Sequence, residues 1–131
     1  MATVSLLDDD ALAPRARAVF EDIRATRDTD FINNFWRALA HDPETLEAVW
    51  SRLKTVMSPG ALDPLTKELI YVAVSTANGC DYCIHSHTAA AKSRGMTPDM
   101  QAELVAVIGM AMQTNGLVRA LGVETDDAFL A

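Results

Sequence analysis

A cluster of residues able to do redox chemistry lies in the middle of the chain, in segment 68–87, ELIYVAVSTANGCDYCIHSH. Cys80 and Cys83 are the only two cysteines of the protein, and His87 follows four residues after Cys83. A helix turns about 100° per residue, so these three side chains share one helix face, and Cys83 and His87 can touch. Two thiols three residues apart at a helix start can close a disulfide. The spacing therefore predicts a redox-active Cys80–Cys83 pair beside His87.

The residues around this pair indicate how it could react. A helix N-terminus favours a thiolate over a thiol, and a histidine beside a thiol can accept its proton. Glu68 lies in an otherwise apolar run on the preceding helix, from which it could fold back and orient His87 or relay protons. This set fits a thiol peroxidase or a dithiol exchanger, in which one thiolate attacks a peroxide oxygen and the second thiol condenses with the resulting sulfenic acid. The helix start favours Cys80 as the attacking thiol, whereas the spacing to His87 favours Cys83.

Other chemistry is compatible with the same residues. A structural zinc site takes four ligands, and Cys80, Cys83 and His87 would supply three, with Glu68 or a water as the fourth. Inert packing of the thiols and a non-enzymatic redox or metal sensor are further alternatives. Covalent haem attachment is excluded, because Ile84 and not a histidine follows Cys83. We favour redox chemistry, since no second C-x-x-C completes a zinc site.

Helices must position this segment. Three predicted helix starts each place a capping residue directly before a proline, at Asp42-Pro43, Asp63-Pro64 and Thr97-Pro98. Asn78-Gly79 ends the helix before the cysteines. Apolar residues recur at helical spacing, and no segment alternates as a strand would. The sequence predicts an all-α bundle of about six or seven helices, over residues 8–27, 31–41, 43–57, 64–77, 80–93, 98–114 and 117–121. Asn115-Gly116 is predicted to separate the last two.

Length and charge narrow the class of protein. The chain has 131 residues, the size of one domain, and its 11 basic and 18 acidic residues give a net charge of −7. Nucleic acids and anionic membranes bind clustered Lys and Arg, so neither is an expected partner. The N-terminus is acidic and lacks the basic start and apolar run of a signal peptide. We also expect no apolar stretch to reach the roughly 18 residues of a membrane span. We therefore expect a soluble cytoplasmic protein, in which a C-x-x-C pair serves redox chemistry or metal binding.

Hydrophobic residues make up 50% of the chain. A domain this small has limited core volume in which to bury them. We therefore expect self-association, and the helix faces that carry Trp36, Trp50 and the Met-rich segment 109–112 are the candidate contacts between copies.

The pattern formed by Glu68, Cys80, Cys83 and His87, E…C-x-x-C-x-x-x-H, resembles that of the alkyl hydroperoxidase D-like family, part of the carboxymuconolactone decarboxylase-like group. The lead-in FWRALAHDPETLEAVW is also similar to the family's, so the resemblance covers about residues 31–121. It implies a single all-helical domain over residues 1–131, homo-oligomers that are trimers or hexamers, and peroxidase or disulfide-reductase activity in antioxidant defence. Lactone-type decarboxylases also occur in the group, but they do not depend on a cysteine pair.

By the family's pattern, Cys83 is the peroxidatic thiol, Cys80 the resolving thiol, and Glu68 and His87 the proton relay. The resemblance implies a hydroperoxide substrate and a dithiol electron donor, such as a lipoyl group or a thioredoxin-like protein, with no metal and no other cofactor. One position departs from the best-studied branch, which has a histidine directly before the second cysteine, where this chain has Tyr82. Tyrosine donates a hydrogen bond but does not shuttle protons near neutral pH, so Tyr82 is a candidate lining residue.

Overall fold

The computed structural model describes residues Met1–Leu130 and contains helices and no strands over that range. The predicted all-α fold is therefore confirmed. Two short 3-10 helices cover Asp9–Ala11 and Asp127–Phe129. The six α-helices are, in order, α1 (Pro14–Arg27), α2 (Asn34–Leu39), α3 (Pro43–Met57), α4 (Pro64–Asn78), α5 (Asp81–Ser93) and α6 (Pro98–Leu121).

Helices α3, α4 and α6 begin where the sequence predicted. The carboxylates of Asp42 and Asp63 and the hydroxyl of Thr97 each accept a hydrogen bond from the backbone N–H three residues on, at 3.1, 2.9 and 3.2 Å. A proline follows each capping residue, at a position whose N–H has no partner inside the helix. Local sequence therefore determines where α3, α4 and α6 begin.

The predicted bounds of the first two helices were wrong. Helix α1 begins at Pro14 and not at Asp8, because proline has no N–H to donate and is tolerated only in a helix's first turn. A separate 3-10 turn, Asp9–Ala11, precedes it. Helix α2 covers Asn34–Leu39, which is shorter than the predicted 31–41.

Helix α6 runs unbroken from Pro98 to Leu121, although Asn115-Gly116 was predicted to interrupt it. Asparagine and glycine each cost about 0.7–1 kcal/mol relative to alanine inside a helix. The Met, Ala and Leu residues on both sides are good helix formers and outweigh that cost. The helix ends at Gly122, whose φ of 61° is the left-handed conformation that glycine adopts without strain.

The continuity of α6 also corrects the expectation that no segment reaches the length of a membrane span. Its 24 residues include a window of 18 residues with a mean hydropathy of 1.4, of which none is buried in the described chain. By length and composition alone this helix could cross a membrane, a test that core helices of soluble proteins also pass. The break predicted at Asn115-Gly116 divides this apolar stretch into two segments that are each too short to span a membrane.

The chain divides into two compact units, Met1–Ser58 and the residues from Pro59 onward. The single domain over residues 1–131 that the sequence suggested stays a prediction. In the first unit, Trp36 and Trp50 pack edge to face with ring centroids 5.6 Å apart. These two side chains are 3% and 4% exposed, so they are core residues of this unit. That the helix faces carrying them contact another copy stays a prediction. The largest completely buried side chains of this unit are Phe20, Ile23 and Leu46.

Asp22 links α1 to α3 in the first unit. Trp50 Nε1 donates a hydrogen bond of 2.7 Å to Asp22 Oδ2, and Lys54 Nζ donates one of 2.9 Å to the same oxygen. These two bonds, that from Trp50 first, hold the pKa of Asp22 below its ordinary value. A carboxyl whose pKa is lowered by folding stabilises the fold fully above its unfolded pKa of about 3.9, and this contribution disappears as the pH falls through the folded pKa.

We therefore expect Asp22→Asn to make the free energy of unfolding less sensitive to acid. The difference at pH 7 should be below about 1 kcal/mol, because the pair is half exposed and screened by solvent. Urea denaturation at pH 7, 4 and 3 measures it. The stabilities of variant and native chain should converge as the pH falls, and a constant difference at all three values would contradict the assignment.

The second unit is organised around the pair α4 and α5. Gly79 ends α4 with a left-handed φ of 67°, as the sequence predicted, and Cys80 caps α5 directly afterwards. Glu68, near the start of α4, contacts His87 in the middle of α5 and Arg94 directly after its end, so the two helices run antiparallel. This hairpin brings together residues from both ends of the predicted redox segment.

Candidate active site

Cys80 and Cys83 lie at the junction of α4 and α5 and form a disulfide, with their Cα atoms 5.3 Å apart. Cys80 is the residue immediately before α5, and its Sγ accepts a hydrogen bond of 3.3 Å from the N–H of Cys83. The left-handed Gly79 produces the sharp turn that places Cys80 there. The predicted pairing of the two cysteines at a helix start is therefore present.

Glu68 and His87 come together as the sequence suggested. Glu68 is only 4% exposed, and its Oε2 lies 2.7 Å from His87 Nδ1. A carboxylate can only accept a hydrogen bond, so Nδ1 carries the proton. In the neutral imidazole the other nitrogen, Nε2, is then the proton acceptor. The pair thus fixes the tautomer in which His87 can take a proton from a neighbouring thiol.

Arg94 is a partner of Glu68 that the sequence analysis missed. Its Nε lies 3.4 Å from Glu68 Oε1, so each carboxylate oxygen faces a different donor. A buried carboxylate without partners is strongly disfavoured. The charge of Arg94 and the hydrogen bond from His87 Nδ1 together compensate for the burial of Glu68. The available signal was weak: Arg94 follows His87 by seven residues and is the first residue after the end of α5.

Tyr71 is the second missed residue. Its ring stacks on the imidazole of His87 with centroids 3.6 Å apart and planes 18° apart. Tyr71 lies three residues after Glu68 on α4, a spacing that puts both side chains on one helix face. That spacing would have identified it, had the partner helix been known.

Tyr82 and His85 are both exposed side chains. Tyr82 lies between the cysteines and is 46% exposed, while His85 points to solvent on another face of α5. Within residues 1–130, no group of three His, Cys, Asp or Glu side chains is arranged to hold a metal ion. The site therefore consists of a dithiol–disulfide couple and, on the same hairpin, a histidine whose tautomer a buried carboxylate sets.

Comparisons with known proteins place this geometry in context. The family model described as the carboxymuconolactone decarboxylase family matches residues 43–125. A solved crystal structure, that of the alkylhydroperoxidase AhpD core from Rhodospirillum rubrum, is 60% identical with a TM-score of 0.97. That similarity covers 100% of this chain and 98% of the Rhodospirillum chain.

More distant relatives share part of the chain. An alkyl hydroperoxide reductase AhpD of Solibacter usitatus is 33% identical over 75 residues, which are 57% of this chain and 40% of that protein. An uncharacterized protein of Cupriavidus necator is 32% identical over 82 residues, which are 63% of this chain and 73% of that protein. The match thus spans less than half of the Solibacter protein and most of the Cupriavidus one.

Proposed function

The chain belongs to the carboxymuconolactone decarboxylase family and is alkyl hydroperoxidase D-like, and on that premise we propose that it is a thiol-dependent peroxidase or disulfide reductase of antioxidant defence. The observation that carries the proposal is the Cys80–Cys83 disulfide at the start of the helix that also bears His87. A lactone-type decarboxylase would have no use for this disulfide.

The proposed reaction begins with a proton transfer. His87 Nε2 accepts the proton of the Cys83 thiol, while Glu68 holds the proton on Nδ1. The thiolate attacks the terminal oxygen of the hydroperoxide, and the oxygen–oxygen bond breaks. The alkoxide that leaves takes a proton from His87, which yields an alcohol and a sulfenic acid on Cys83. The Cys80 thiol then condenses with the sulfenic acid, and water and the disulfide form.

Each turnover thus consumes one hydroperoxide and two thiols, and a dithiol must return two electrons to the disulfide. The family resemblance favours a lipoyl group or a thioredoxin-like protein as this donor. Thiol–disulfide exchange passes through a mixed disulfide with the more accessible sulfur, so the donor has to reach the hairpin end that carries the cysteines. Tyr82, exposed at that end, is the residue we expect the donor to meet.

A thiol titration tests the proposal. The fully reduced protein should lose two thiols per chain when one equivalent of cumene hydroperoxide or hydrogen peroxide is added, and with cumene hydroperoxide one equivalent of its alcohol should form. With a dithiol donor in excess, peroxide should continue to disappear over many turnovers. A decarboxylase would keep its thiols on this timescale, and a redox sensor would oxidise once without turning over.

We also propose that the protein is a cytoplasmic homo-oligomer, a trimer or hexamer, whose contacts include exposed apolar residues of α6. Val107, Met110 and Met112 on that helix are 66%, 60% and 51% exposed. Exposed apolar side chains on one long helix favour an interface that buries them, and a second copy of the chain would bury them without a membrane.

Light scattering measures the assembly. The native chain should show three or six times the protomer mass of 14.2 kDa at micromolar concentration. Met110→Glu should lower this mass, because a carboxylate inside an apolar contact has no partner. Ser51→Glu makes the same change in charge at an exposed position of α3. It is the matched control and should leave the mass unchanged. A monomer mass for the native chain would refute the proposed oligomer.

A further inference from the structure

The hydrogen bond that His87 donates to Glu68 does not by itself fix the orientation of the His87 ring. It holds Nδ1 at 2.7 Å from the carboxylate, but the ring can still rotate about that contact. The outer side-chain torsion of histidine has broad, roughly two-fold preferences, so its rotamer does not define the ring plane either. Nε2 lies on the far side of the ring and moves most when the plane tilts. A second constraint is therefore needed if Nε2 is to meet the same sulfur at every turnover.

Tyr71 supplies that constraint. Its ring lies against the imidazole at a centroid distance of 3.6 Å and an interplanar angle of 18°, which is a parallel stack at contact distance. Glu68 and Tyr71 are three residues apart on α4, so one rigid helix delivers both the hydrogen bond and the stacking face. We propose that Tyr71 is a positioning residue that fixes the plane of His87 and thereby directs Nε2, an inference that rests on the proposed peroxidase chemistry.

The stack suits a histidine that changes charge during the reaction. His87 is neutral before it takes the thiol proton and cationic until it releases that proton to the leaving alkoxide. The face of an aromatic ring is electron rich and attracts a cation, so Tyr71 retains its contact with both forms. The His87 side chain is 20% exposed, so the ring is largely shielded from water in both charge states. The hydroxyl of Tyr71 has no part in this role.

Two variants separate positioning from general packing. Tyr71→Phe keeps the aromatic face, whereas Tyr71→Leu removes it but retains an apolar side chain. We expect Tyr71→Phe to oxidise Cys83 at the native single-turnover rate. Tyr71→Leu should be slower by about threefold to tenfold, the range that corresponds to the usual strength of an aromatic contact. Thermal unfolding of both reduced variants checks that any loss of rate is not a loss of fold.

Imidazole NMR provides a readout that does not depend on peroxide. In the native chain and in Tyr71→Phe, the His87 ring protons should be shifted upfield by the stacked ring, and the ring nitrogens should report one tautomer protonated at Nδ1. In Tyr71→Leu the ring-current shift should vanish. The unstacked ring should also turn away from Glu68 part of the time, which breaks the bond that sets the tautomer, so the tautomers should mix. His41, in the first unit, provides an internal reference that should not change.

The outcomes are distinct. If Tyr71→Leu keeps both the native rate and a single tautomer, Tyr71 does not position His87 and the inference is wrong. The same conclusion follows if Tyr71→Phe is as slow as Tyr71→Leu, because the hydroxyl would then be the group that matters. If the native protein does not react with hydroperoxides, the proposed function fails, while the tautomer comparison still decides whether Tyr71 orients the ring.

Discussion

Replacing Cys83 with serine should abolish the reaction of the reduced protein with hydroperoxides, whereas Cys80→Ser should retain one turnover. The loss should exceed about 10³-fold, since removal of a reacting nucleophile leaves only what binding and the surrounding groups contribute. In Cys80→Ser no resolving thiol remains, so the sulfenic acid on Cys83 should persist and be trapped by a carbon nucleophile such as dimedone. This asymmetry follows from the different positions of the two sulfurs on α5.

The structure contains an argument for each cysteine. Cys80 caps the helix, and a hydrogen bond from the N–H of Cys83 to its sulfur would stabilise negative charge there. Cys83 lies one turn before His87 on the same face, and Cys80 lies two turns before it, about 10 Å along the axis. Reduction of a peroxide requires a base for the thiol and an acid for the leaving oxygen, and one adjacent histidine serves as both. We therefore expect Cys83 to attack, with Cys80 as the resolving thiol.

Mass spectrometry distinguishes the two assignments. Both cysteines lie in the tryptic peptide between Lys67 and Lys92, so fragmentation within that peptide locates the trapped sulfenic acid. The Cys80→Ser/Cys83→Ser double variant is the control for unspecific trapping. A sulfenic acid that forms on Cys80 of the Cys83→Ser variant at the native rate would reverse the assignment, and the helix-terminus argument would then be the correct one.

The sequence predicted the parts of this fold that local chemistry determines. The caps at Asp42, Asp63 and Thr97 and the turn at Gly79 depend on residues within a few positions of each other, and all four were found where expected. The predicted break in α6 was wrong because it, too, rested on local residues alone. Glycine at position 116 costs about 1 kcal/mol of helix stability relative to alanine, and the favourable residues in the rest of the helix outweigh that cost.

The candidate site was predictable along α5, which carries the cysteines and His87, and at one position of α4, Glu68. Spacing along α5 relates Cys80, Cys83 and His87 directly, and Glu68 was found because a charged residue in an apolar run is conspicuous. Tyr71 and Arg94 contact the site across the hairpin, and which face of α4 meets which face of α5 depends on packing that no short segment encodes. The residues that tune the histidine could therefore be seen only in the folded chain.

Glu68→Gln should slow the oxidation of Cys83 by about 10²–10⁴-fold, the usual contribution of general acid–base catalysis. The reason lies in the different partners of the two carboxylate oxygens. Arg94 Nε can only donate, so a glutamine keeps its carbonyl oxygen toward Arg94. Its amide nitrogen must then face His87 Nδ1, which a carboxylate oxygen faces in the native chain. The amide donates to Nδ1, the imidazole proton moves to Nε2, and the nitrogen that should accept the thiol proton is blocked.

A second substitution, at Arg94, tests whether the tautomer is the cause. In Glu68→Gln/Arg94→Met the amide is free to turn its oxygen toward His87, which restores the proton on Nδ1. We therefore expect the double variant to react about tenfold faster than Glu68→Gln, although Arg94→Met alone should be no faster than the native chain. Methionine fills the volume of the arginine stem without a hydrogen-bond donor. Single-turnover oxidation measures the rates, and nitrogen chemical shifts of the His87 ring measure the tautomer in each variant.

The two measurements must agree for the relay to hold. If Glu68→Gln is slow but His87 keeps its proton on Nδ1, Glu68 acts through its charge and not through the tautomer, and Arg94→Met should then slow the double variant further. If Glu68→Gln reacts at the native rate, Glu68 is a structural partner of Arg94 and His87 works without it. A rescue of the rate that accompanies the return of the Nδ1 proton is the result that a relay from Glu68 through His87 to Cys83 requires, because no change of net charge or packing at Arg94 produces both together.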